Sequence, residues 1–224
     1  MTISKEVEQG QAVYSKPVLW LYDMWVLGIS NRFIWKCPTP GILEHFNRNI
    51  SSNHLDVGVG TGYFMDKCHF PSDKVRLALM DLNQNSLDIS AQRVARYNPI
   101  QFYGNVLDKI AIETEAFDSI SLNYLLHCLP GRLSDKLIAL DNVTSLLSDS
   151  GTIFGSTILS KGVYRSAAAK KLMAIYNKKG IFSNTEDCQK DLEDFLANRF
   201  SHFKIEIRGC VALFSAHHKL ETFL

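Results

Sequence analysis

The chain has 224 residues, 46% of them hydrophobic, and a formal net charge of +1 from 24 basic and 23 acidic residues. That length and composition suit one α/β domain with a sizeable core and argue against a disordered chain. The balanced charge, with no Lys/Arg-rich run, speaks against nucleic acid or an anionic membrane as a general partner.

No apolar run reaches the ~18 residues that span a bilayer. The opening residues, MTISKEVEQGQ, lack the pattern of a secretory signal. Cysteines stand at 37, 68, 128, 188 and 210. An odd number without a CxxC pair argues against a disulfide framework or a zinc ribbon, and for reduced thiols in a cytoplasmic protein. In that setting the two sequons at Asn49 and Asn142 are chance matches.

In chain order, SKPVLWLYDMWVLG (15–28) opens with Ser15 as a helix cap and Pro17 near the first helical position. A helix apolar all round is buried on most sides. Preceding the first strand, it is expected as a lid over a pocket, within a helical cap at 1–49. From residue 50 strands and helices alternate. Strands are expected at 54–59, 74–81, 100–105, 117–124 and 151–159, with helices at 86–97 and 134–147 and a turn at Asp149-Ser150-Gly151. Alternation implies parallel pairing with right-handed crossovers. A helix near 185–199 then leads to strands at 202–208 and 210–216. Strands joined that tightly must be antiparallel, because a parallel crossover needs a dozen or more residues. The expected fold is a Rossmann-like three-layer α/β sandwich. Its mostly parallel seven-stranded sheet closes with an antiparallel C-terminal hairpin strand, over a core at 50–216 with a tail at 217–224, all one domain.

The chemistry concentrates in LDVGVGTGYF (55–64). Glycine is retained where backbone must bend sharply or approach something closely. A dinucleotide fingerprint, G-x-G-x-x-G/A, needs a small third residue for close helix packing. Counted from Gly58 that residue is Tyr63. The spacing here is Gly58, Gly60, Gly62, and Asp56 just before it would repel a pyrophosphate. A ligand carrying an ammonium group and no phosphate, such as S-adenosylmethionine, suits that carboxylate.

The run from Asp56 to Gly62 resembles the D/E-x-G-x-G-x-G motif of class I S-adenosylmethionine-dependent methyltransferases. The resemblance extends over about 50–216 and accounts for the terminal hairpin. It implies that Asp56, Gly58, Gly60 and Gly62 line the methionine half of the cofactor. It implies that Asp81, followed by Leu82, meets the ribose hydroxyls, which a carboxylate suits by accepting two hydrogen bonds. In GNVLD (104–108), Asn105 and Val106 fall where the family contacts adenine. Asn105 stands where Asp is usual, with Asp108 as a competitor for the role. In NYLLHCLPG (123–131), Asn123 and Leu125 fall beside the amino acid and sulfonium. AVYSKPVLWLYD (12–23) is similar to a segment found before the domain in small-molecule members, which implies Tyr14, Tyr22 and Trp35 as cap residues near the cofactor.

The implied activity is in-line transfer of a methyl group to a small molecule. Such a reaction needs alignment and exclusion of water, and a base only where the acceptor must lose a proton. His127 is the candidate base, being in the loop after the fourth strand and of a type that titrates near neutrality, with Tyr14 beside it. Tyr124 is a further candidate for orienting a hydroxyl. Cys128 is read as a packing thiol. No metal is expected, since His217 and His218, adjacent on a strand, point to opposite faces. The aromatic cap (Trp20, Tyr22, Trp25, Phe33, Trp35) hints at an apolar or aromatic oxygen or nitrogen acceptor of the kind met in secondary metabolism. No nucleic acid or membrane is expected as partner, and the chain is expected as a monomer or homodimer. The competing readings are a fold relative that binds the cofactor without methyl transfer, a protein or nucleic-acid methyltransferase, and a nucleotide-dependent oxidoreductase.

Overall fold

A computed structural model describes residues 23–220 of the chain. Its centre is a seven-stranded sheet of β1 (Asn53–Val57), β2 (Arg76–Asp81), β3 (Ile100–Tyr103), β4 (Phe117–Asn123), β5 (Leu147–Ile158), β6 (Phe200–Arg208) and β7 (Val211–Lys219). The order is β3-β2-β1-β4-β5-β7-β6. The first five strands are parallel, and β7 runs antiparallel to both β5 and β6. This is the Rossmann-like architecture the sequence leads to, hairpin included.

Besides two single 3-10 turns (Ala95–Tyr97 and Leu126–Cys128), eight helices accompany the strands among the described residues: α1 (Asp23–Ile34, of π type), α2 (Thr39–Asn49), α3 (Tyr63–Lys67), α4 (Gln84–Arg93), α5 (Leu133–Lys136), α6 (Ile138–Thr144), α7 (Ala167–Lys178) and α8 (Gln189–Ala197). They bury both faces of the sheet, so the central strands are buried on both sides, with His54, Asp56, Ser119 and Ser121 of β1 and β4 as buried polar exceptions among apolar residues. The period of two still sorts them. Ala78 and Met80 join Leu137, Leu140 and Leu192 on one side, whereas Leu77 and Leu79 join Phe46, Met65 and Leu87 on the other. From β1 the chain crosses to β2, and from β4 it crosses to β5 on the far side. The carboxyl ends of β1 and β4 therefore flank the point where strand order reverses, where open α/β sheets place their ligand crevice.

Several expectations shift. The helix expected at 86–97 starts earlier, because Asn83 rather than Ser86 caps it, accepting from the Asn85 and Ser86 N–H groups. The helix expected at 134–147 forms as the short pieces α5 and α6. The expected turn at 149–151 lies inside β5, where Leu147 pairs with Phe117 and a register shift between Phe117 and Ser119 absorbs the irregularity. The α2 helix carries a signal the alternation argument passed over: Pro in its first turn and buried Ile42 and Phe46 at i, i+4. Strand β7 runs on to Lys219, into the stretch expected as tail.

The expected first helix continues to Ile34, well past residue 28. Tyr14, Trp20 and Tyr22 lie outside the described residues, as do positions 15–22 of the expected helix.

Candidate functional site

The turn after β1 holds three glycines at every second position, all at positive φ: Gly58 at 71°, Gly60 at 54° and Gly62 at 73°. Only glycine takes that region without strain. At Gly58 the space is also taken, since a Cβ would come within 2.8 Å of the Leu125 side chain. At Gly60 and Gly104 a Cβ would meet nothing within 4 Å. Those two backbones are bare toward the crevice, leaving room for a ligand to lie against them.

The crevice is walled by the glycine turn, the ends of β2 and β4, and the loop after β3. Asp56, Gly58, Gly60, Asp81, Leu82, Asn105, Val106, Asn123 and Leu125, expected around the cofactor, all line it. Gly62 does not; it caps α3 and lies against Ser90 of α4. Asp108 is not in the wall either, so of the two candidates in GNVLD it is Asn105 that faces the crevice.

The electrostatics are acidic. Asp56 is buried at 5% exposure, accepts a hydrogen bond from Ser121 Oγ, and is pushed up to about 7 by burial, with a further push from Asp81. Burial likewise lifts Asp81 to about 6, against the backbone N–H groups of Asn83, Gly60, Val59 and Leu82 that hydrogen-bond to it. Asn83 N lies 2.8 Å from Asp81 Oδ1. Asp81 thus ties the glycine turn to the end of β2 while facing the crevice. Two carboxylates side by side would meet a phosphate with repulsion and a cation with attraction.

At the end of β4, Asn123 Oδ1 accepts from Ser156 Oγ at 3.0 Å, while Asn123 Nδ2 is buried with no hydrogen-bond partner. A buried donor of that kind asks for an acceptor. A ligand offering an ammonium to Asp56, a diol to Asp81 and a carboxylate or other acceptor to Asn123 fits this donor set. S-Adenosylmethionine has all three.

Three expectations need correcting. His127 is not in the crevice wall among the described residues. Its ring is 2% exposed, edge-on to Phe182 with ring centres 4.5 Å apart, and its Nδ1 accepts the Ile158 N–H at 3.3 Å. Burial, with the Lys136 charge nearby, lowers it to about 3, so the ring is neutral behind the residues that wall the crevice. Trp35 is 1% exposed, its ring centre 6.0 Å from that of Phe182, its carbonyl accepting from Cys210 N–H; it is core and not cofactor cap. Of the other cap aromatics with a described side chain, Phe33 is 59% exposed. The cap contributes Leu27, which does line the crevice. Lastly, His218 has a φ of 57°, which breaks strand alternation and brings its ring beside those of His202 and His217. The His202 and His217 rings stack within 10° of parallel, and one ring nitrogen of each of the three histidines lies within 4.8 Å of the others, close enough to share a metal ion, so strand alternation does not keep them apart as expected.

Sequence reasoning missed other wall residues. Tyr63, set aside as too bulky for a dinucleotide turn, lines the crevice with Phe64. Tyr124, which the sequence did single out, lines it too, at a φ of 56°, with its hydroxyl donating to Asn31 Oδ1 at 2.8 Å. Cys128, Leu129 and Pro130 complete that side. Their place directly after Asn123 was the available signal.

Comparison with known proteins agrees with this geometry. Residues 55–153 match the family model described as a methyltransferase domain. Demethylluteothin O-methyltransferase of Streptomyces thioluteus is 39% identical over 96% of this chain and 93% of its own length. The physcion biosynthesis cluster O-methyltransferase of Aspergillus chevalieri is 37% identical over 93% of this chain and 95% of its own. Among solved structures, the N-methyltransferase NodS from Bradyrhizobium japonicum WM9, in complex with S-adenosyl-L-homocysteine, shares the fold at 15% identity. Its TM-score is 0.63, covering 97% of this chain and 100% of that one. Acidic crevice, glycine turn, sheet order and relatives converge: the chain belongs to the class I S-adenosylmethionine-dependent methyltransferases.

Proposed function

We propose that this enzyme methylates the acidic hydroxyl of an apolar small molecule, a phenol or an enol, and that it does so without a histidine base. The single observation behind this reading is the composition of the crevice. Carboxylates gather at the glycine turn, the rest of the wall includes Leu27, Tyr63, Leu129 and Pro130, and His127 is held out of reach.

The bound cofactor supplies a methyl group on a sulfonium, already a good leaving group. The chain's part is to hold and orient. Asp56 would take the ammonium, Asp81 the ribose diol and Asn105 and Val106 the adenine, and Asn123 Nδ2 would donate to the methionine carboxylate or to the acceptor oxygen. Leu125 packs on Gly58 and keeps water from the reacting end. Tyr124 fixes the wall through Asn31 and does not take the substrate proton. Among the described residues no histidine lines the crevice to take a proton from an acceptor of low intrinsic acidity, and an acceptor that ionises near neutrality needs none. Relatives named for O-methylation of demethylluteothin and in physcion biosynthesis support an oxygen acceptor.

Two experiments test this. Calorimetry with S-adenosylhomocysteine should show binding that Gly60→Arg abolishes, since any side chain there enters the crevice. A panel of phenols of graded acidity should give faster product formation with the more acidic members. Fast methylation of simple aliphatic alcohols would refute the acceptor class. Binding without turnover on any acceptor would favour a non-transferring relative.

A further inference from the structure

Behind Asp56, buried polar side chains of β1 and β4 form one unbroken line. Parallel register places His54 opposite Ser119 and Asp56 opposite Ser121. Alternate residues share a face, so all four meet on the α2 side of the sheet. Ser121 Oγ donates to Asp56 Oδ1. His54 Nε2 lies 3.1 Å from Ser121 Oγ, and His54 Nδ1 lies 2.8 Å from Ser119 Oγ. Ser119 Oγ accepts the Ser51 N–H at 2.8 Å and sits 2.9 Å from Ser51 Oγ. His54, Ser119 and Ser121 are fully buried, whereas Ser51 is only partly so. Rings of Phe46 and Phe154, centred 5.6 and 5.8 Å away, clamp the imidazole.

Counting protons gives this line two complete arrangements. Each hydroxyl has one proton to donate, and a neutral imidazole has one N–H. With Asp56 ionised, Ser121 spends its proton on the carboxylate. Ser121 must then accept from His54 Nε2–H, and Nδ1 accepts from Ser119. With Asp56 protonated, every bond reverses: the carboxyl donates to Ser121, Ser121 to Nε2, Nδ1–H to Ser119, and Ser119 to Ser51 Oγ. One proton hop along each bond converts the second arrangement into the first. The net change is one proton lost by Asp56 and one released to solvent from Ser51, which is only partly buried and gives up its own proton as it takes the one from Ser119, so that every hydroxyl and the ring end neutral.

We propose that His54 is a positioning residue for the cofactor site. Its tautomer is coupled through Ser121 to the ionisation of Asp56, and the line holds the carboxylate ready for the ammonium group of the cofactor. This rests on the reading of Asp56 as the ammonium's partner. Burial lowers His54 to about 3, so the ring is neutral in both arrangements. Besides His54, the ionisable groups facing Asp56 among the described residues are Asp81 from β2 and the Cys68 thiol at the end of α3.

The test is two-bond nitrogen–proton NMR of the full chain with ¹⁵N-labelled histidine, the His54 signal being assigned by its loss in His54→Gln. In the free protein the ring should pass from the Nδ1–H to the Nε2–H form as pH rises through about 7, following Asp56. Saturating S-adenosylhomocysteine should hold it as Nε2–H down to about pH 6. Ser121→Ala should uncouple the ring from both pH and ligand. It should also weaken binding about tenfold near pH 6.5, with the deficit shrinking as pH rises. His54→Gln, which retains a donor for Ser121, should bind more tightly than His54→Leu. A His54 ring that keeps one tautomer with and without bound ligand, across the same pH range, overturns the coupling. Failure of S-adenosylhomocysteine to bind at all would instead sink the cofactor reading. The pH titration of the free protein would still decide the coupling.

Discussion

Asp56 and Asp187 are both buried carboxyls lifted by burial, to about 7 and about 6, and the chain provides for them in opposite ways. Asp187, just before α8, receives the ammonium of Lys136 at 2.8 and 3.0 Å, and that Nζ also donates to the Ser183 carbonyl. Both side chains of the pair are fully buried. The pair ties α5 to the segment that carries Phe182 against His127 and Trp35. Asp56 receives a hydroxyl from Ser121 and opens on the crevice. A buried acid with an internal cation is finished structure. One supplied with a neutral donor beside a second carboxyl is a place for a cation that comes from outside.

That contrast can be broken from either side. The largest effect belongs to Lys136→Met, which strands a buried charge and should cost on the order of 3–5 kcal/mol in chemical unfolding. The double variant Lys136→Met with Asp187→Leu should recover most of it, because no charge is then left unpaired.

Asp56→Asn should move stability and binding in opposite directions. In the wild type the folded carboxyl holds its proton up to about 7, while the unfolded one loses it near the ordinary value of 3.8. Native protein therefore binds more protons across that window, and stability falls as pH rises through it. Asparagine has no such cost. The variant should exceed wild type above pH 7 by on the order of 2–4 kcal/mol, with the gap closing toward pH 4. Its affinity for S-adenosylhomocysteine should drop about a hundredfold. A variant less stable than wild type at neutral pH would show that the Asp56 charge is stabilising, contrary to this comparison.

The smallest effect sharpens the assignment of His127. Replacement by Asn should cost about 1–2 kcal/mol, because the Ile158 N–H loses its acceptor. It should leave the shape of the pH–rate profile unchanged. Loss of a limb from that profile would restore His127 as a base.

Much of the sheet could be read from the sequence, because its signals are local. Apolar runs of four to eight residues ended by glycine or an acidic residue gave the parallel strands, and the short link at Gly209 forced the hairpin. Asp56 came from the glycine run and Asp81 and Asn123 from the family resemblance; each sits at or near the carboxyl end of a strand, and the fold carries those ends to one place. What escaped depended on distant partners. The direction of the His127 ring is set by Phe182 and Ile158, and the burial of Trp35 by Phe182 and Cys210. Nothing near either residue in the sequence points to those contacts. His54 and Ser121 looked like ordinary strand residues until the β1–β4 register set them in line with Asp56. Alternation failed at His218 because one backbone angle there is left-handed.

The central claim is that the crevice is an acidic receptor for a cationic amino-acid cofactor. The most direct measurement is calorimetry of S-adenosylhomocysteine binding near pH 6, repeated in two buffers of different ionisation enthalpy. The prediction is binding that releases close to one proton per molecule, with affinity that rises with pH and levels off above about 7. Absence of binding, or binding without proton release and with the same affinity at every pH, would contradict it.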